Sequence, residues 1–189
     1  MKNVFVWIVL CFVCTACSLP IKLNNMPEEV EVRTGDSQLM NIRIERWGTT
    51  RFSGLIALQE RGSGIFYVLL DATGVKLMEA LVKEDGNHEL VRAHGSLKDM
   101  QLPEFLSESL QKIYLIEPDT LPCSRTLLLW FCMEKSEDNR WHKYAQAGPF
   151  SLWSVDYYAE SHNTKWPASS FSQPWIGVNV ILTQNSQFN

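Results

Sequence analysis

The chain has 189 residues, a hydrophobic fraction of 46%, a charged fraction of 20% and a formal net charge of −4. That balance belongs to a globular protein of one domain, long enough to bury a real core. It contains no Lys/Arg cluster of the kind that releases counterions from a phosphate backbone, so it offers nucleic acid no footing.

Met1-Lys2-Asn3 is followed by an apolar stretch from Val4 to Val13, then Cys14-Thr15-Ala16-Cys17-Ser18. One positive charge, a short apolar run, small residues and a cysteine form the pattern of a bacterial lipoprotein signal peptide. The run falls short of the roughly 20 apolar residues that cross a bilayer. Residues 1–16 are therefore expected to be removed and Cys17 to carry the lipid, palmitate among its acyl chains. That leaves 189 − 16 = 173 residues. A single acyl chain holds a protein only marginally to a membrane, whereas two or more hold it firmly. By analogy with the sorting rule for bacterial lipoproteins, Ser18 rather than Asp after the cysteine directs the chain to the outer membrane, its domain facing the periplasm. An ordinary secretory signal cut near Ala16, or an uncleaved anchor, is the competing reading. Residues 17–30 read as lipid anchor and tether, polar and interrupted by Pro20 and Pro27. Residues 31–189 read as a single domain.

Past the tether the dominant signal has period two. From Gln38 to Trp47, Met40, Ile42 and Ile44 alternate with Leu39, Asn41, Arg43 and Glu45. Strands are expected next over Arg51 to Glu60, Ile65 to Leu70, Val75 to Lys83 and His88 to His94, separated by Gly-containing turns. Short strands at this spacing indicate an antiparallel meander. One helix interrupts it. Leu102, Phe105, Leu106, Leu110, Ile113 and Tyr114 make a continuous apolar stripe, Pro103 suits a first helical turn, and Pro118 ends the segment. The stripe fits a lid over an apolar concavity, and fits equally a helix that merely covers one end of a sheet.

Strands resume over Thr126 to Glu134, Arg140 to Gln146, Phe150 to Tyr158 and Trp175 to Thr183, with Ala159 to Gln173 as a long polar loop. The fold class is mainly β (α+β): an unclosed antiparallel barrel, or half-barrel, of about 9–10 strands with one principal amphipathic helix as lid. Cys123 and Cys132 remain after processing. With one extended strand running up to Cys132, they would lie ~25–30 Å apart, at ~3.3 Å per residue. A disulfide needs Cα atoms within ~7 Å. Two free, mostly buried thiols are expected.

The order of elements resembles the lipoprotein-carrier (LolA/LolB-like) fold of the Lol system. The resemblance is carried by Phe52-Ser-Gly-Leu-Ile-Ala-Leu58, Gly64-Ile-Phe-Tyr-Val-Leu-Leu-Asp71, Thr73-Gly-Val-Lys-Leu77 and the helix from Pro103 to Tyr114. It covers residues 38–116 well and the remainder only in pattern, and it is closer to uncharacterised lipoproteins of that shape than to the carriers proper. It implies an unclosed antiparallel barrel with an apolar concave face covered by helix, and an amphiphile as the ligand.

On that reading the chain is an outer-membrane lipoprotein, not an enzyme, that binds a lipid, an acylated protein or a lipid-like metabolite and helps deliver it to the membrane. Leu55, Phe66, Val68, Leu70, Leu77, Phe105, Leu106 and Leu110 are the expected lining. Burying acyl carbon is worth about 0.8 kcal/mol per methylene, so no reactive group is required. The sequence accordingly holds no G-x-S-x-G elbow, no H-E-x-x-H and no phosphate-cradling glycine loop. His88 and His94 would lie some 20 Å apart on one strand. Neither a cofactor nor a metal site is expected, and the protein is expected to be a monomer. The alternative is a structural or interaction lipoprotein with a filled core that docks a periplasmic partner.

Overall fold

The computed structural model describes residues 37–98, 101–136, 140–158 and 165–185. The signal segment, Cys17 and the tether lie outside the described residues. Core residues run from Met40 to Leu182, within a compact unit spanning Thr34–Asn189.

Eleven antiparallel strands form one open sheet: β1 (Ser37–Arg46), β2 (Thr49–Arg61), β3 (Gly64–Asp71), β4 (Lys76–Lys83), β5 (His88–Ala93), β6 (Cys123–Arg125), β7 (Leu129–Lys135), β8 (Trp141–Ala147), β9 (Phe150–Tyr157), β10 (Ser169–Gln173) and β11 (Val178–Gln184). Their order is β5-β4-β3-β2-β1-β11-β10-β9-β8-β7-β6. The first strand and the last are therefore neighbours at the centre, in register from Met40↔Gln184 to Arg46↔Val178. The two margins, β5 and β6, are joined through the principal helix α1 (Leu102–Leu110) and the π-turn Gln111–Leu115.

The alternation read from the sequence sets the faces. Met40, Ile42, Ile44, Ile56, Leu58, Ile65, Tyr67, Leu69, Met78, Ala80 and Val82 point to one side and are buried. Turn chemistry fixes the register. Trp47 and Gly48 both have positive φ, 52° and 72°, the pair of left-handed residues that a two-residue hairpin turn requires. In the β3–β4 turn the Asp71 carboxylate accepts from the Thr73 amide and hydroxyl and the Val75 amide, which holds its pKa below the usual carboxylate value.

Helix α1 fills the buried face. Leu106, Leu110 and Ile113 are 0–1% exposed among sheet side chains from both halves of the chain. Tyr67 on β3 meets Ser107 (2.9 Å) and donates to the Pro103 carbonyl (3.3 Å). Lys143 on β8 donates to the carbonyls of Ile113 (2.7 Å) and Ile116 (3.0 Å), and Tyr157 on β9 also donates to the Ile113 carbonyl. Strands far apart in the sheet thus grip one helix, so the sheet curls round it. Lys143 neutralises carbonyls left over where the helix ends. Burial pushes its ammonium pKa down to about 8, partly offset by Glu117.

Two segments differ from the sequence expectation. The stretch from Thr126 to Glu134 is not one strand: the chain reverses at residues 126–128, so Cys123 on β6 faces Cys132 on β7, with Cα atoms 4.0 Å apart and a disulfide between them. The thiols expected to be free are bonded, because the distance argument assumed no reversal between them. The loop expected over Ala159 to Gln173 contains β10, whose Ser169 and Phe171 face the core. One large apolar residue in Ser-Ser-Phe-Ser-Gln is too little for a period-two signal.

Candidate apolar cleft at one end of the sheet

The helix leaves open an apolar cleft at its N-terminal end. Ile44 comes from β1, Trp47 from the β1–β2 turn, Leu102 and Phe105 from α1, Ile176 from the β10–β11 connection and Val178 from the start of β11. Together they line an open cleft of about 960 Å³. Arg46, Arg51 and Gln101 supply its polar atoms. Both arginines are exposed, and neither makes an ion pair with another described residue. A guanidinium presents a fork of donors suited to a carboxylate or phosphate. The walls are apolar, and the rim carries two cations with no ion-pair partner among the described residues.

The local sequence explains the geometry. Gly177 has φ 62°, and the Trp47 ring lies so close that an added Cβ there would sit 2.3 Å from it. The Trp47 amide donates to the Gly177 carbonyl at 2.6 Å. A glycine at 177 is therefore what lets Trp47 fold against the β10–β11 turn and form a wall.

Of the residues expected to line the site, the structure brings only Phe105 to this cleft. Leu106 and Leu110 are core, fully buried between helix and sheet. Leu77 sits at the bulge where Leu70 pairs with Lys76, half-buried against the core. Leu55, Phe66, Val68 and Leu70 are half-buried on the opposite face of the sheet from α1, because their alternation partners Ile56, Ile65, Tyr67 and Leu69 face the helix. They share a stripe with each other, not with the helix residues. Sequence reasoning missed Trp47, Arg46, Arg51, Ile176 and Val178. The available signal was Trp47 itself, a large aromatic at a tight-turn position where Asn or Gly is the rule.

Among the described residues, the nearest approach to catalytic chemistry lies on the outer face. His142 Nδ1 and Asp156 Oδ1 are 2.7 Å apart, and Ser170 pairs with Asp156 across the next strand. The order His–Asp–Ser places the serine two strands, roughly 10 Å, from the imidazole, on the wrong side of the carboxylate for a relay. Cys123, Cys132 and Glu134 cluster within 4.8 Å, but the two sulfurs are bonded to each other and offer no thiolate to a metal. Among the described residues no helix is long and apolar enough to cross a membrane. Comparison with known proteins finds no family model that matches the chain and no significant match among curated proteins.

Proposed function

We propose that the protein is an outer-membrane lipoprotein, anchored through Cys17, whose curled half-barrel domain binds an amphiphile and takes part in its carriage to, or insertion into, the membrane. The observation that carries this reading is the 960 Å³ apolar cleft with Arg46 and Arg51 at its edge. An acyl chain would lie against Phe105, Ile176 and Val178, with an acidic head group on the arginines. Each methylene removed from water contributes about 0.8 kcal/mol before ordering costs. The guest site differs from the one expected under the helix, since α1 occupies that space itself. Such a task needs no nucleophile and no cofactor.

The complete burial of Leu106, Leu110 and Ile113 supports a second reading, an anchored interaction module with a filled core. The two separate in one experiment on the chain beginning at Ser18, which retains the whole core. Fluorescent fatty acid titrated into it should bind saturably, and Phe105→Asp or paired Arg46→Ala and Arg51→Ala should weaken binding at least tenfold. Solvent extraction followed by mass spectrometry should recover a co-purified amphiphile. No saturable uptake and no extracted amphiphile would leave the interaction module standing alone.

A further inference from the structure

The two ends of the sheet differ in kind. At one end the chain reverses at residues 47–48, 72–75, 126–128, 148–149 and 174–177. All of these turns except the one at 72–75 form one continuous ridge. Trp47 lies on Gly177. Trp175 Nε1 donates to the Ser151 carbonyl at 2.7 Å, and its ring centre lies 5.7 Å from that of Phe150. Ala147 pairs with both Phe150 and Leu129, which brings in the β6–β7 hairpin. The apolar side chains on the ridge are turned outward: Leu127 is 95% exposed, Leu128 72%, Trp47 66%, Trp175 61% and Phe150 55%.

Charge on the ridge is mainly positive. Residues 46–53, 123–130, 147–153 and 173–178 contain Arg46, Arg51 and Arg125 and no acidic residue, while at their border Glu45 is paired with Arg43 and the Asp71 carboxylate is engaged by amides of its own turn. Arg125 lies 4.6 Å above the Trp130 ring. The opposite end is mixed and paired: Glu60 with Lys165 in an ion pair, Lys83, Glu84 and Asp85 in a single turn, and Lys135 over Trp141.

We infer that this ridge docks the domain onto a bilayer surface bearing anionic phospholipid, as a second membrane contact independent of the acyl anchor. Exposed leucines on a hairpin tip can enter the acyl boundary, tryptophans suit the head-group layer, and unpaired arginines meet lipid phosphates. Leu127 and Leu128 stand at a hairpin tip, a shape that a deformable lipid layer accommodates. The disulfide between β6 and β7 holds the most exposed prong, Leu127-Leu128, in hairpin form. The ridge shares Trp47, Arg46 and Arg51 with the cleft, but neither leucine lines it, so changes at the leucines read docking apart from the guest.

The test uses the chain beginning at Ser18, so that no acyl group or signal segment contributes. It should float with vesicles of phosphatidylethanolamine and phosphatidylglycerol, more weakly with phosphatidylcholine alone, and lose binding as salt is raised. Paired Leu127→Asp and Leu128→Asp should lower partition at least tenfold. Leu127→Ser with Leu128→Ser, milder changes at exposed turn positions, should lower it by a smaller factor while circular dichroism stays unchanged. Paired Glu60→Ala and Lys165→Ala, at the far end, should leave it unaltered. Brominated acyl chains should quench tryptophan fluorescence in the parent and not in the Asp variant. Failure of the parent to bind either vesicle, or equal binding by the leucine variants, overturns the inference. Fatty-acid uptake in solution should survive the leucine changes, so loss of docking and loss of guest binding are separately readable.

Discussion

Strand β3 shows the sheet's two faces side by side. Ile65, Tyr67 and Leu69 are 0% exposed, whereas Phe66, Val68 and Leu70, interleaved with them, are only half-buried. Residue type does not distinguish the sets; the more polar of them, holding Tyr67, is the one buried. What decides is the helix. Tyr67 goes inward because Ser107 and Pro103 of α1 supply partners for its hydroxyl, while burial raises the phenol pKa above its ordinary value. Outside, Arg61 lies 3.8 Å over the Phe66 ring and the Lys76–Glu79 pair flanks the apolar stripe, covering it only in part. A strand apolar on both sides identifies two faces but not which one becomes the interior.

The sharpest break of this contrast is at the helix interface. Leu110→Ala should cost about 2–5 kcal/mol in urea denaturation, the range for emptying a fully enclosed leucine site. An effect below ~1 kcal/mol would mean that the helix is not integral to the core.

A second test uses pH. The folded protein releases the Lys143 proton at about 8, while the unfolded chain holds it to its ordinary value of 10.5. Between these values the unfolded state binds more protons, so stability rises with pH. Between pH 7 and 9.5 the gain should be about 2 kcal/mol, from the linkage of one group. Above pH 10 it should turn over, because burial raises the pKa values of Tyr67, Tyr114 and Tyr157 and the unfolded chain ionises first. Lys143→Met should abolish the rise and keep the fall. A rise that persists in that variant would remove Lys143 as its source.

The smallest effect is expected outside. Val68→Thr keeps the shape and places a hydroxyl on a half-exposed site, so it should change stability by less than about 1 kcal/mol. A loss as large as that at Leu110 would show that the outer face is as tightly covered as the inner one.

Much of the architecture was legible in the sequence. The first five strands, the helix and the later hairpins stand within a few residues of where alternation and turn residues put them, since each signal there is local. What failed were the elements defined by pairing. The reversal at Thr126–Leu128 is made of residues with no turn preference, Leu127 and Leu128 among them, so only the partner strand and the disulfide reveal it. β10 owes its existence to neighbours on both sides, which supply the order its own composition lacks. The cleft was missed for a related reason. Its walls come from a β-turn, a helix start and a 3-10 turn spread over more than 100 residues of sequence, from Ile44 to Val178, and closure of β1 on β11 brings the two ends of that span together.

That same central closure pushes the sheet's two unpaired borders outward to β5 and β6 among the described residues. A bare border is a template onto which another copy can zip, a hazard for molecules crowded side by side. One border here is three residues long and pinned to its neighbour by a covalent cross-link; the other is six residues long and carries His88, Glu89 and Arg92. Neither offers a long, neutral run for fibre growth.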